Sequence, residues 1–170
     1  MRVKLIGAVF VILGCTGFGL IVANGLKREC AVLRTFISAL DLILSELNYR
    51  MPPLPELFRL ASSACGGVVC RVLLSIAREL DNNKSLNAKE CILSALKKHP
   101  DLPKYTYACL KLFGNTVGTL NLSGQIKAIE AVKSEANRLL VIAEEDQSTK
   151  MKCYKTLGIS AGVALVILFV

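Results

Sequence analysis

Seven cysteines, one histidine and thirteen carboxylate side chains are the groups of this 170-residue chain that could bind a metal or attack a substrate. The cysteines stand at 15, 30, 65, 70, 91, 109 and 153. Their number is odd and no spacing is paired, which fits free thiols in a reducing compartment better than a disulfide framework. Cys65 and Cys70 are separated by a stretch containing Gly66 and Gly67, and His99 is not spaced to join them, so no zinc site is expected. A Ser or Cys nucleophile needs a histidine oriented by a third group. His99 sits between Lys98 and Pro100 at an expected helix end and reads as an exposed structural residue. Glu144, Glu145 and Asp146 are adjacent, so they point to different sides of a helix; they read as a solvated face, with partner docking as the lesser alternative. There is no glycine-rich loop ending in Lys and Ser/Thr, which argues against a Walker-type nucleotide site. The residues therefore predict no catalytic, cofactor-binding or metal-binding set. A protein that acts through contacts is expected, not an enzyme.

The elements that carry these residues are set by an excess of apolar side chains. The chain is 53% hydrophobic with a mean hydropathy of +0.51, high for a small soluble domain. Residues 5–26 carry no charge, and as a helix they would rise about 33 Å, enough for a hydrocarbon core of about 30 Å. Residues 156–170 are also uncharged. They rise only about 22 Å, so a full span requires Lys155 to snorkel. Transmembrane helices are expected at 5–26 and 156–170. A cleaved signal peptide fits less well because the apolar run is too long, and a lipoprotein site at Cys15 suffers from the bulky Leu13 and the absence of a polar tether. Small residues Cys15, Gly19 and Ala23 form a row in the first segment, and Gly158 with Gly162 in the second. Such rows let helices of one chain, or of copies in a homo-oligomer, approach closely.

Net charge is +8, yet Arg2, Lys4, Lys27, Arg28, Lys150, Lys152 and Lys155 gather at the ends of the apolar segments, where headgroups favour cations. Membrane lipid accounts for most of the surplus, and without aromatic residues interleaved among the cations no nucleic-acid partner is expected. The cation count on either side of the segments places the middle of the chain in the cytoplasm.

Residues 27–155 are long enough for one domain with one core. Leu33, Phe36, Ile37, Leu40, Ile43, Leu44 and Leu47 recur at helical spacing, and Pro52 and Pro53 end that helix. Pro55 and Glu56 suit the first turn of a second helix, whose expected inner face is Leu57, Leu60, Ala61 and Ala64. Gly66 and Gly67 stop it, and Val69, Val72, Leu73, Ile76 and Leu80 mark a third. Asn87 and Glu90 form a capping box for a fourth, with Leu93 and Leu96 inside. Tyr105, Ala108, Cys109 and Leu112 give a fifth face. A long last helix buries Ile126, Ile129, Val132, Ala136, Leu140 and Ala143 and continues toward the C-terminal segment. The expected fold is all-α, a bundle of five to six helices between the two apolar ends, with the first and last helices packed as a stalk.

Several short blocks resemble the stage III sporulation protein AB family. They are Lys4 to Ala8, then Pro53, Leu54, Pro55 and Glu56 after Tyr49, Gly114 and Gly118 with Gln125, and Tyr154 to Gly158 with Gly162. The resemblance covers the whole chain and rests on the order of the blocks. Cys91 stands where the family usually has tryptophan, and Asn121 where it usually has aspartate. The resemblance implies a sporulation protein of the mother-cell membrane around the forespore, with a cytoplasmic domain similar to that of type II secretion inner-membrane platform proteins. It also implies partners: the sporulation ATPase, stage III sporulation protein AA, and the other stage III channel proteins. A platform of a general secretion or pilus system is the alternative.

Overall fold

A computed structural model describes residues 2–82, 87–116 and 122–169, and the side chains of 25, 27–82, 87–116, 123–150, 152, 153, 156 and 160. The described chain is all-α, with six helices and no strand: α1 Arg2–Tyr49, α2 Leu54–Ser63, α3 Gly67–Asn82, α4 Ala88–Lys97, α5 Lys104–Thr116 and α6 Leu122–Phe169. Two compact units result. One is Glu29–Val141, here called the head; the other comprises Met1–Arg28 and Ile142–Val170. The head's limits fall inside the expected 27–155. Among the described residues no helix is long and apolar enough to cross a membrane. The side chains of 5–26 and 156–170 lie outside the described residues except for Gly25, Thr156 and Ser160, and Cys15, Gly19, Ala23, Gly158 and Gly162 are not among the exceptions.

Within the head, α1 buries Cys30, Leu33, Phe36, Leu40, Ile43 and Leu47, a row at three- and four-residue steps. Ile37 and Leu44 flank it half-buried, and exposed Asp41 forms an ion pair with Lys133 that links α1 to α6. On α6, Ile129, Val132 and Ala136 are buried, while Ile126 and Leu140 are half-buried.

The short helices pack in chain order, α2 on α3, α3 on α4 and α4 on α5. Their inner faces differ from the expected ones by about one residue of rotation. On α2 the buried set is Leu57, Phe58, Ala61 and Ser62; Leu60 is half-buried and Ala64 exposed. Phe58 takes the inner position because its ring meets Phe113 of α5 edge-to-face, with centroids 5.7 Å apart. On α3, Val68 and Ala77 join Val69, Val72, Leu73 and Ile76, and Leu80 is half-buried at the fading end. On α4, Cys91, Ile92, Ala95 and Leu96 are buried, and Leu93 is half-buried. The Asn87 side chain caps α4 by accepting the Lys89 N–H at 3.5 Å.

The fifth helix departs most. Thr106, Cys109, Leu110, Phe113 and Gly114 face inward, whereas Ala108 and Leu112 are exposed and Tyr105 half-buried. Gly114 explains the close approach of α4, because a Cβ there would meet Ile92 Cγ2 at 2.9 Å. The other end of α5 is held by α1: Glu29 Oε1 accepts the Tyr105 N–H at 2.8 Å, satisfying a donor that the first helical turn leaves unpaired. Just past α2, Cys65 Sγ lies 3.8 Å from the Thr35 carbonyl oxygen of α1, nearly two turns beyond Glu29.

Candidate functional site

Among the described residues of the head, the turn from α1 to α2 combines the most exposed large apolar side chains with a positive-φ residue that is not glycine. Tyr49 is 87% exposed and Met51 60%. Met51 has φ +50, the left-handed region that a residue with a Cβ enters at a cost of about 1–2 kcal/mol. A helix commonly ends on a left-handed residue whose successor donates its N–H back to the last turn, but here the successor is Pro52, which has no N–H. The Glu46 carbonyl instead accepts both Arg50 N–H at 2.9 Å and Met51 N–H at 3.1 Å. Glycine would relieve the strain, and the methionine side chain held there stands in solvent.

The block expected to matter by resemblance forms the second half of the same turn. Pro53 is the exposed N-cap of α2 at φ −56 and ψ 147, and its carbonyl accepts the Leu57 N–H at 3.0 Å. Leu54 and Pro55 are half-buried, and Pro55 occupies the first turn, where a missing N–H costs no hydrogen bond. Exposed Glu56 stands in that first turn with its carboxylate near the positive dipole end. Pro53 to Glu56 therefore form the start of α2, directly after the exposed Tyr49 and Met51. One turn before them, Glu46 has a buried Oε2 with no hydrogen-bond partner among the described residues.

The remaining expected residues are distributed elsewhere. Gly114 is buried at the α4 contact, adjacent to the Phe113 ring that touches α2. Gln125 is half-buried on α6, and Gly118 and Asn121 lie outside the described residues. Cys91 is buried in the core of α4. Sequence reasoning passed over Tyr49 and Met51 as a surface. The available signal was an aromatic and a methionine placed beyond the last buried position of α1, Leu47, and before a proline pair.

The groups considered for chemistry remain apart. All six cysteines with described side chains are free thiols, of which Cys30, Cys91 and Cys109 are buried and Cys153 is exposed. Burial pushes the Cys109 thiol up to about 11, with the Glu135 carboxylate adding to the rise. His99 is largely covered, with Nδ1 3.9 Å from Asp101 Oδ1, and its backbone N–H closes the end of α4 on the Leu96 carbonyl at 3.1 Å. Glu145 is exposed, Glu144 and Asp146 half-buried, and Asp146 pairs with Lys150 at 3.3 Å. No group of three metal-ligating side chains converges among the described residues.

A family model described as stage III sporulation protein AB matches residues 4–170. The stage III sporulation protein AB of Bacillus subtilis (strain 168) is 29% identical over 168 residues, covering 97% of this chain and 98% of that relative. A solved structure of a stage III sporulation protein AB superposes with a TM-score of 0.65 at 26% identity, covering 72% of this chain and 98% of the solved one.

Proposed function

The chain belongs to the stage III sporulation protein AB family, and from that premise we propose that it is a non-enzymatic membrane platform of the channel between mother cell and forespore. In this reading it couples the cytoplasmic sporulation ATPase, stage III sporulation protein AA, to membrane-embedded channel proteins. The two uncharged segments, 5–26 and 156–170, hold the chain in the mother-cell membrane, and the head stands in the cytoplasm.

One observation carries the docking part of the proposal: the exposed pair Tyr49 and Met51, strained outward on a turn stiffened by Pro52, Pro53 and Pro55. Tyr49 is twenty residues past Glu29, about 30 Å of helix, at the far end of the head's part of α1. A rigid aromatic with a polar tip beside an adaptable thioether is the kind of pair that dominates protein interfaces.

The test is binding of the purified ATPase to the full chain in nanodiscs. Tyr49→Ser together with Met51→Ser is expected to weaken binding by at least about tenfold, since loss of such a residue costs roughly 2 kcal/mol or more. Met51→Gly should leave the head at least as stable as before yet weaken the same complex. An ATPase that ignores the wild-type chain, or binds the double variant equally well, would overturn the coupling role.

A further inference from the structure

The outer face of α5 differs from those of the other short helices. Its exposed positions are Lys104, Tyr107, Ala108, Lys111, Leu112 and Asn115, which alternate steps of three and one and so form a single stripe. Tyr107 and Leu112 are exposed large apolar side chains, and among the described residues α2, α3 and α4 have none. The inward side of α5 is already filled by buried Leu110 and Phe113.

Charge sets this face apart as well. Ion pairs tie the other short helices to their neighbours: Arg59 of α2 with Asp81 of α3, Arg71 of α3 with Asp101, and Lys98 at the end of α4 with Glu79 of α3. Lys104 and Lys111 have no acidic partner among the described residues. Helix α5 itself contains no Asp or Glu. Two carboxylates from adjacent helices act on α5, and both are engaged: Glu29 accepts the Tyr105 N–H, and Glu135 accepts two hydrogen bonds from Arg138 at 2.8 and 2.6 Å.

At 100° per residue, Lys104, Lys111 and Asn115 lie near the midline of the stripe, with Tyr107 on one side and Ala108 and Leu112 on the other. The two lysines are seven residues apart, two turns and about 10.5 Å. We propose that this face of α5 docks an acidic amphipathic helix of a partner protein, with carboxylates two turns apart set against Lys104 and Lys111 and apolar residues covering Tyr107 and Leu112. A helix suits a lone convex helix face because its own backbone bonds are already made, whereas an extended segment laid there would leave its backbone groups without protein partners. A polyanion such as nucleic acid would satisfy the lysines but leave Ala108 and Leu112 uncovered. The proposal goes beyond the Tyr49 turn and does not depend on it.

The probe is a fluorescein-labelled helical peptide with two Glu seven residues apart and Leu on either side of their line, against the same peptide with Gln in place of Glu. Anisotropy is read on the full chain in phosphatidylcholine nanodiscs, with empty nanodiscs as the baseline. Exposed ion pairs contribute modestly, so the Glu peptide should bind at least about threefold tighter than the Gln peptide at low salt, and the preference should shrink in high salt. Lys104→Glu with Lys111→Glu should abolish the preference and confer one for a peptide with Lys at the same two positions. Lys104→Gln with Lys111→Gln, which should lose the preference without reversing it, serves should the reversed chain fold poorly. Leu112→Ser should weaken both peptides, while Tyr49→Ser with Met51→Ser should leave the binding unchanged. Equal affinity for the Glu and Gln peptides on the wild-type chain, or a preference untouched by either lysine variant, would overturn the proposal. Sedimentation separates a second copy from a foreign partner: a wild-type oligomer that the charge reversal disperses would make the occupant another copy of this chain and overturn the proposal as stated.

Discussion

Replacing Gly114 by alanine tests whether the close approach of α4 and α5 is as tight as the structure has it. The added Cβ would lie 2.9 Å from Ile92 Cγ2 and 3.3 Å from Ile92 Cβ, against an ordinary carbon contact of about 3.5–4.0 Å. Ile92 is wholly buried, and a β-branched side chain on a helix has essentially one χ1 position, so the neighbour has little room to yield. Overpacking of this size costs about 1–3 kcal/mol. Against it stands a helix-propensity gain of about 1 kcal/mol for exchanging glycine for alanine. The net expectation is a loss of about 1 kcal/mol. That value alone is a weak test, so the decisive measurement is a double-mutant cycle with Ile92→Ala. Ile92→Ala by itself should cost about 2–5 kcal/mol by leaving a cavity. In its background the new methyl meets no Cγ2, and Gly114→Ala should turn stabilising by about 1 kcal/mol. The cycle therefore predicts a coupling of about 2 kcal/mol, read from urea unfolding of the full chain in detergent by circular dichroism. A Gly114→Ala chain as stable as the wild type, together with a coupling below about 0.5 kcal/mol, would refute the steric account of this glycine.

Three other perturbations follow from the head's polar interior. Thr106 is fully buried and its hydroxyl has no hydrogen-bond partner among the described residues; Thr106→Val should raise stability by about 1 kcal/mol in the same unfolding assay, and a loss instead would reveal a partner for that hydroxyl. Glu29→Ala removes the acceptor for Tyr105 N–H and should cost about 1–2 kcal/mol, with faster amide exchange at Tyr105 than elsewhere on α5, whereas Glu29→Gln should lose less than half as much. Because burial lifts the Cys109 thiol from about 9 to about 11, the unfolded chain releases its proton first. Stability should therefore fall as pH rises through that window and stay flat below it, and in Cys109→Ala the decline should be smaller.

How much of this was legible in the sequence depended on whether a helix is amphipathic by itself. The head's part of α1 announces its inner face because Leu33, Phe36, Leu40, Ile43 and Leu47 repeat with few interruptions, and Pro52 with Pro53 ends it. The short helices are harder to read because each packs against neighbours on more than one side. On α5, the inner face includes Thr106 and Gly114, which no hydropathy pattern would select, while Leu112 is left 38% exposed. Gly114 is inside because of Ile92, and Thr106 lies inside although its hydroxyl has no described partner; neither reason is visible without the neighbouring helix. The Glu29 cap joins residues 76 positions apart, a distance at which no local motif operates.

The same contrast holds at the surface proposed for docking. At the α1 to α2 turn, the prolines were readable as helix punctuation, but the outward setting of Tyr49 and of Met51, which lies in the left-handed region, has no signal in the local pattern. Within the head, α1 holds Tyr49 about 30 Å from the Glu29 cap of α5, so the turn and the cap are set by opposite ends of the same helical stretch.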